Sequence, residues 1–296
     1  MFERWLHPTD ARLELPRPDP GPQGAVLRSK LMLDLEFAEH SDDGRSRDHN
    51  EDYLGHYAPP SPSENRRGWL FVLADGVGGQ ESGEVASMTA VESLVSGYQK
   101  SPIHEPLTAV LPKLVQEANH RVYLAGAGRR AGAASIATTL VACGVRFDRA
   151  VVAHAGDSRC YLIRRGEVTQ LTRDHTVVND QLRLGILTAK QAAAATTRNL
   201  LSRSLGNDLF VNVDVSDHLL MAGDVLLLCS DGMHNSVTPA DMTSVIRRTT
   251  PLDAAAKSLV TLANERDGSD NISIQLIRIR AVERVGMYRG RLYKLS

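Results

Sequence analysis

The stretch WLFVLADG, residues 69–76, joins a run of apolar residues to an Asp-Gly pair. A short apolar run bounded by turn residues is typical of a buried strand. The same arrangement recurs in AVVAHAGD (150–157) and in VLLLCSDG (225–232). In each case a carboxylate follows directly on a predicted strand. These three stretches favour a fold in which acids collect where buried strands end.

Two more acidic positions stand beside apolar segments. Asp270 precedes NISIQLI (271–277), and Glu51-Asp52 precedes the short run Tyr-Leu-Gly. If these strands share sheets, their carboxylates can meet at one edge, where they repel one another unless a cation neutralises them. Mg²⁺ and Mn²⁺ prefer such oxygen ligands. The pattern therefore predicts a metal site, against the simpler alternative that each Asp-Gly is a β-turn, and it does not name a reaction.

The composition excludes some classes of partner. The 296 residues carry a formal net charge of -1, so no overall basic field favours binding to nucleic acid or an anionic membrane. The three cysteines, Cys143, Cys160 and Cys229, have no ligand-like spacing, and we interpret Cys143 and Cys229, which lie inside apolar runs, as buried free thiols. Nothing indicates a disulfide framework, which favours a reducing compartment. The N-terminal residues lack the apolar core of a signal peptide, and no segment approaches the roughly 20 apolar residues of a membrane span. We expect a cytoplasmic protein.

The chain divides into three parts. Residues 1–30 contain closely spaced prolines, which block helix and sheet interiors, and form a predicted Pro-rich extension. Residues 31–280 are the predicted folded domain. Residues 281–296 are a basic tail, either a solvated end or a docking segment for a partner kinase or a secretion-system component.

Helical periodicity alternates with the strands. Apolar residues share one face over 86–98 and again over 107–118, and a further helix is predicted over 252–263. The sequence Thr-Pro-Ala-Asp at 238–241 is a helix start, with a hydroxyl cap and proline at the first position. An Arg-Arg-Gly-Glu turn at 164–167 indicates a hairpin. Antiparallel-looking strands with paired helices favour a layered α+β fold over a doubly wound one.

Six short motifs follow one another along residues 34–279. They are RDHNED (47–52), ADGVGG (74–79) continuing to SGEVAS (82–87), ATTL (137–140), GDSR (156–159) followed by LTRDH (171–175), CSDGM (229–233) and GSDNI (268–272). In this order they resemble the motifs of PP2C-type metal-dependent protein serine/threonine phosphatases. The residues within the motifs are similar to those of bacterial members. The resemblance implies two antiparallel sheets packed face to face and flanked by helix pairs, an α-β-β-α sandwich.

The resemblance also implies a site for two Mn²⁺ or Mg²⁺ ions and a weaker third ion. The implied metal ligands are Glu51, Asp75, Gly76 through its carbonyl, Asp157, Asp231 and Asp270, and the implied catalytic residues are Arg47 and Asp52. Asp75 is expected to bridge the two main ions, and Asp157 to hold the third with help from Asp231. Arg47 is expected to bind the substrate phosphate, and Asp52 to hold a metal-bound water.

The implied reaction is hydrolysis of phosphoserine and phosphothreonine on proteins by a metal-bridged hydroxide, in a monomer that opposes a cognate Ser/Thr kinase. Two alternatives remain open. One is a catalytically silent scaffold with the same fold, although such proteins usually lose acids that this chain retains. The other is a hydrolase of small phosphoesters.

Two features leave the details of the site open. Val77 stands where some family members carry a histidine that protonates the leaving group, so the general acid is either a metal-bound water or another histidine such as His49. A solvent-facing position is the simpler interpretation of His49, and His175 is expected to make structural hydrogen bonds. Residues 177–198 correspond to a flap near the site, which we expect to be mobile and to select substrates.

Overall fold

The chain folds into antiparallel strands and paired helices. The computed structural model describes residues 33–60, 66–77, 81–127, 136–282, 284–288 and 291–294. The strands are β1 (Asp34–Asp42), β2 (Asp52–Tyr57), β3 (Trp69–Val77), β4 (Ala137–Thr138), β5 (Leu140–Arg146), β6 (Arg149–Ala155), β7 (Arg159–Arg164), β8 (Glu167–Gln170), β9 (Asp214–Leu219), β10 (Val225–Cys229), β11 (Ile272–Ala281), β12 (Val285–Tyr288) and β13 (Arg291–Lys294). The helices are α1 (Glu81–Lys100), α2 (Leu107–Ala127), α3 (Val177–Arg183), α4 (Ala189–Ala194), α5 (Asp231–His234), α6 (Pro239–Arg248) and α7 (Leu252–Arg266).

Two antiparallel sheets carry the fold. One has the strand order β1-β11-β10-β7-β8, and the other has the order β2-β3-β5-β6-β9, with the short β4 paired to β3. The hairpin predicted at 164–167 joins β7 to β8, where Arg164 pairs with Glu167. Arg165 and Gly166 both have positive φ, which a tight hairpin of this hand requires.

The position of β3 explains why its apolar run is continuous. Phe71 and Leu73 pack into the layer between the two sheets, where they join residues of β5, β7, β10 and β11. Leu70, Val72 and Ala74 point the other way and pack against α1 and α2. Because both faces of the strand are buried, the usual alternation of apolar and polar residues is absent.

Helices cover the outer face of each sheet. The apolar faces predicted around 86–98 and 107–118 lie in α1 and α2 and are buried against β3, β5 and β6. On the other sheet, α6 and α7 bury residues such as Met242 and Leu259 against β7, β10 and β11. Helix α6 begins as predicted, because Thr238 accepts from the Asp241 N–H and Asp241 bonds back to Thr238. The predicted α-β-β-α sandwich is confirmed.

Sequence reasoning missed strand β9. Its sequence, DVSDHL, has only two aliphatic residues, and the strand lies at the edge of its sheet with alternating half-buried and exposed positions. An edge strand with so little apolar surface gives no periodic signal strong enough to separate it from a loop.

Of the two predicted terminal segments, the structure describes part of the C-terminal one only. The predicted extension, residues 1–30, lies outside the described residues. Within the predicted tail, β12 pairs with β13 as a two-stranded antiparallel sheet. In the described part of the chain, no helix is long and apolar enough to cross a membrane.

Candidate active site

The predicted acidic residues converge at one end of the sandwich. Asp75 lies in β3 directly opposite Asp52 of β2, and Asp157 follows β6 in the same sheet. Asp231 follows β10 and Asp270 precedes β11 in the other sheet. The carboxylates therefore meet where two sheets end together, rather than along one edge of a single sheet.

These residues line a pocket of about 480 Å³. The lining comprises Arg47, Glu51, Asp75, Gly76, Val77, Ala137, Thr139, Asp157, Asn199, Leu200, Leu201, Ser204, Asn207, Asp231, Asp270 and Asn271. All eight predicted site residues except Asp52 are in this lining, and Asp52 is buried beside Asp75. We call Glu51, Asp52, Asp75, Asp157, Asp231 and Asp270 the carboxylate cluster.

Hydrogen bonds fix the backbone beneath the cluster. The main-chain oxygen of Asp75 accepts from the Thr139 N–H and from the Thr138 hydroxyl, each at 2.8 Å. The main-chain nitrogen of Asp75 donates to the Thr139 hydroxyl at 3.0 Å. The side chain of Asn271 accepts from the Glu51 N–H at 2.8 Å, and the hydroxyl of Ser87 donates to the Glu51 carbonyl at 2.6 Å. These contacts hold both acids in place through the main chain.

Two glycines allow helix α1 to approach the cluster. A Cβ atom on Gly76 would lie 2.2 Å from the main-chain oxygen of Gly83. A Cβ atom on Gly83 would lie 2.5 Å from a carboxylate oxygen of Glu51. Both distances are too short for any side chain, so the glycines of the second motif let the start of α1 pack directly on the site.

The cluster is electrostatically unfavourable by itself. Burial raises the pKa of Asp75 well above its ordinary value, and the charges of Asp52 and Asp231 raise it further. Burial likewise raises the pKa of Asp52 to about 7, with additional repulsion from Asp231, and raises the pKa of Asp157 to about 7. The pKa of Asp231 is raised to about 6 by burial and by the neighbouring Asp270. Buried carboxylates of this kind are stable as anions only beside positive charge.

The cluster fits divalent cations. Asp52 receives a hydrogen bond from Ser230 at 2.7 Å on one oxygen, while its Oδ1 atom is buried without a hydrogen-bond partner in the described part of the chain. A buried carboxylate oxygen of this kind calls for a donor or a cation. Together with the raised pKa values, this oxygen-rich pocket matches the ligand preference of Mg²⁺ and Mn²⁺.

Arg47 provides the positive charge at the pocket. Its guanidinium lies 2.9 Å from a carboxylate oxygen of Asp270, and its side chain is 44% exposed. Among the described residues lining the pocket it is the only basic one. Such a half-exposed guanidinium is placed to bind a phosphate entering from solvent.

Asp157 is oriented by its neighbours. Gly156 has φ of +115°, and a Cβ atom there would meet Thr139 at 2.5 Å. His175 binds both main-chain polar groups of Gly156. The main-chain N–H of His175 donates to the Gly156 carbonyl at 3.0 Å, and the ring Nδ1 of His175 accepts from the Gly156 N–H at 3.2 Å. His234 lies 3.1 Å from the Asp157 carbonyl through Nε2. The structural role predicted for His175 is therefore confirmed.

Arg159 connects this corner to the base of the flap. Its guanidinium binds both carboxylate oxygens of Asp174, at 2.9 and 2.6 Å. The Asp174 carbonyl accepts from the side chain of Asn179 in α3 at 2.7 Å. Sequence reasoning placed Arg159 and Asp174 within motifs but did not predict that they pair, because paired charges 15 residues apart carry no local signal.

A second group of metal-ligand types lies nearby but differs in charge balance. His154, His175 and Asp214 place ligand atoms within 4.8 Å of one another. Arg173 and Arg203 each donate to Asp214 at 2.9 Å, so two guanidinium groups already neutralise this carboxylate. A cation bound there would face both. We interpret the group as an ion-pair network that supports the flap.

The segment 199–207 forms a pocket wall that sequence reasoning missed. Its residues Asn199, Leu200, Ser204 and Asn207 line the cavity. None of them belongs to a motif that the sequence analysis found. The signal available was only their position just after the predicted flap. His49 is exposed and is not in the lining, which agrees with a solvent-facing position, whereas Val77 is in the lining.

Comparison with known proteins defines the class. The serine/threonine phosphatase of S. agalactiae superposes with a TM-score of 0.77 at 31% identity, covering 83% of this chain and 100% of that chain. The catalytic domain of the serine/threonine phosphatase PstP, in complex with two manganese ions, superposes with a TM-score of 0.71 at 31% identity, covering 84% and 100%. The fold is thus that of metal-dependent serine/threonine phosphatases.

Sequence comparison gives the family. Residues 43–264 match the model of the family described as Protein phosphatase 2C. The serine/threonine phosphatase stp of Listeria innocua is 35% identical over 255 residues, covering 85% of this chain and 96% of that protein. The chain belongs to the protein phosphatase 2C family. It is a hydrolase and a serine/threonine protein phosphatase, as the sequence predicted.

Proposed function

We propose that the chain hydrolyses phosphoserine and phosphothreonine in proteins at this pocket, with Mn²⁺ or Mg²⁺ held by the carboxylate cluster. The observation that carries the proposal is the convergence of acids from two sheets on one pocket: five line it with a single arginine, and Asp52 is buried beside them. Several of these acids have a raised pKa. An arrangement that destabilises the unliganded protein is expected only where a cation completes it.

Two ions, with a weaker third, fit the number and position of the acids. In this proposal Asp75 would contact both main ions, Asp231 and Asp270 would hold the first, and Glu51 with the Gly76 carbonyl would hold the second. Asp157, with Asp231, is assigned to the third. When bound, the ions supply Lewis acidity, which lowers the pKa of water to near neutrality and balances charge on the phosphate.

The protein's own groups position the reactants. The Arg47 guanidinium donates in-plane hydrogen bonds to two phosphate oxygens and so fixes the phosphorus in the pocket. The buried Oδ1 of Asp52 would accept a hydrogen bond from a water held by the ions. Val77 offers no proton, so in this mechanism a water molecule protonates the departing serine or threonine oxygen. No side-chain nucleophile takes part.

The proposal extends to the domain limits, the choice of substrate, the oligomeric state and the location of the protein. Residues 31–280 are the catalytic domain in this view, and the predicted flap selects among phosphoprotein substrates. The enzyme acts as a monomer that reverses the work of a cognate Ser/Thr kinase. A cytoplasmic location is supported by Cys143, Cys160 and Cys229, all of which are buried and free.

The test is hydrolysis of a phosphothreonine peptide with Mn²⁺, with and without EDTA. Wild type is compared with Asp231→Asn and with Asp217→Asn, a control carboxylate that pairs with Arg149 on the surface. We expect metal-dependent turnover that is lost in Asp231→Asn and kept in Asp217→Asn. Calorimetric titration with Mn²⁺ shows whether the wild type is metal-loaded. A folded, metal-loaded wild type without turnover would favour the scaffold alternative.

A further inference from the structure

The loop 206–211 continues the pocket wall and exposes two large apolar side chains. Leu209 is 51% exposed and Phe210 is 83% exposed. Phe210 is thus largely in water, which is unfavourable for so large an apolar side chain. An exposed apolar group next to a binding site is a common feature of recognition surfaces.

Asn119 of α2 holds the first half of this loop. Its side chain is fully buried and accepts from the Gly206 N–H at 2.9 Å. The same amide donates to the carbonyls of Asp208, at 2.9 Å, and Leu209, at 3.1 Å. One buried side chain therefore satisfies three main-chain groups of the loop.

Gln116, one turn earlier in α2, holds the second half. Its side chain accepts from the Val211 N–H at 3.3 Å and also donates to the Val211 carbonyl. The Val211 side chain is buried in the core beneath α2. Phe210 is therefore exposed because the main chain on either side is fixed, and not because the loop lacks anchoring.

The loop is continuous with the site. Asn207 lines the pocket and donates to the Ser204 hydroxyl at 2.7 Å. Phe210 follows Asn207 by three residues, so their Cα atoms are at most about 11 Å apart. This is the span of about three residues of an extended peptide. A substrate segment that leaves the pocket along the wall at Asn207 can therefore bring a side chain to Phe210 within a few residues.

We propose that Leu209 and Phe210 form a docking surface for an apolar side chain of the phosphoprotein substrate, two to four residues from the phosphoserine or phosphothreonine. This inference rests on the proposed function. The occupant follows from the continuity of the loop with the pocket wall. Because the loop is held in place before binding, docking there requires little ordering of the protein.

The experiment compares phosphothreonine peptides that carry either leucine or serine at positions two, three and four on each side of the phosphoresidue. The variants are Phe210→Ser and Leu209→Ser. The matched control is Ile103→Ser, because Ile103 is also exposed, at 40%, and lies in the α1–α2 connection. It stands two residues before Glu105, whose main-chain carbonyl accepts from Arg146 at the far end of β5. Each protein is also assayed on a small aryl phosphate, and its oligomeric state is measured by sedimentation.

We expect wild type to prefer one leucine peptide about tenfold in kcat/KM, which corresponds to about 1.4 kcal/mol. Phe210→Ser should abolish this preference through a higher KM, Leu209→Ser should weaken it, and both should leave aryl phosphate hydrolysis unchanged. Ile103→Ser should behave as wild type.

Three results would overturn the docking surface. Wild type could show no preference among the peptides, or Phe210→Ser could keep the preference intact. Alternatively, Phe210→Ser could change only the sedimentation of the protein, which would make the loop a contact between copies of the chain. If wild type hydrolyses neither peptide nor aryl phosphate, the proposed function fails instead. Anisotropy measurements of peptide binding then still decide whether Phe210 selects leucine peptides.

Discussion

Two groups of acids in this protein carry the same carboxylate group, but their pKa values are shifted in opposite directions. In the carboxylate cluster, Asp52 and Asp157 have pKa values raised to about 7, because burial and like charges disfavour the anion. Asp174 and Asp214 are also partly buried, which by itself raises the pKa. The hydrogen bonds and charges of Arg159 on Asp174, and of His175 and the arginines on Asp214, nevertheless lower both pKa values.

The contrast distinguishes acids that the chain itself neutralises from acids that need an added cation. Asp174 and Asp214 have their countercharges within the chain, so they stabilise the fold as it stands. Among the described residues that line its pocket, the carboxylate cluster has Arg47 as the one basic side chain, so it stabilises the fold when cations are bound. Burial alone does not separate the two groups, and the nearest basic side chain does.

The largest effect separates the groups by activity. With Mn²⁺, Asp75→Asn should lower phosphopeptide turnover about 1,000-fold or more, because the residue assigned to both ions loses its charge. Asp174→Asn should keep metal-dependent turnover within about tenfold, because Arg159 does not line the pocket. Steady-state kinetics below the unfolding transition measure both. Equal losses would mean that the network around Asp174 belongs to the catalytic site.

For the free energy of unfolding, the larger loss should come from the group that matters less for activity. Asp174→Asn should lower the free energy of unfolding by about 2 kcal/mol, since it leaves the Arg159 guanidinium without its bidentate partner. In EDTA, Asp52→Asn should not lower it, because the change removes a charge that its neighbours repel. Urea unfolding in EDTA measures both. A destabilised Asp52→Asn protein would show that the bond from Ser230 outweighs the repulsion.

The pH dependence of the metal-free protein gives a smaller effect of known sign. Between pH 6.5 and 8, folded Asp52 and Asp157 still lose protons that the unfolded chain, with pKa near 4, has already lost. Stability should therefore fall by about 1 kcal/mol as pH rises through this window. Buried His175 and half-buried His234, with pKa lowered to about 4, contribute the opposite slope but only below about pH 6.5.

Thermal unfolding in EDTA across this window tests the sign, and saturating Mn²⁺ should remove or reverse the fall. A metal-free protein whose stability rises from pH 6.5 to 8 would contradict the raised pKa values of the cluster. Asp52→Asn provides the internal control, because its curve should be flatter than that of wild type.

The smallest effect probes redundancy at Asp214. Arg203→Gln should lower the free energy of unfolding by about 0.5 kcal/mol, since Arg173 and His175 still pair with this carboxylate. Chemical unfolding at moderate salt measures the difference. A loss as large as that of Asp174→Asn would show that Arg203 contributes more than one replaceable ion pair.

Much of the fold was predictable from residues near one another in the sequence. The apolar faces of α1 and α2, the cap at Thr238 and the hairpin at 164–167 were predicted because each depends on local spacing. The motifs also predicted that Asp75 and Asp231 would share a site. Strand β9 was missed because its half-exposed edge position needs few apolar residues.

Other features of the site depend on contacts that sequence spacing does not reveal. The pairing of Arg159 with Asp174 and the support of Gly156 by His175 arise only when the chain is folded. The same holds for Asn119 and Gln116, whose amides hold a loop about 90 residues further along the chain. Each of these residues looks like an ordinary polar side chain until its partner is known.

The placement of Asp270 has a consequence for how the enzyme is made. Asp270 and Asn271 stand at the start of β11, and Asn271 reaches back 220 residues to hold Glu51. β11 also lies between β1 and β10, so the first sheet closes only after this strand has been added. A chain emerging from the ribosome therefore holds an incomplete pocket until residues near 270–281 have been synthesised and inserted. The pocket is therefore among the last parts of the domain to be completed during synthesis.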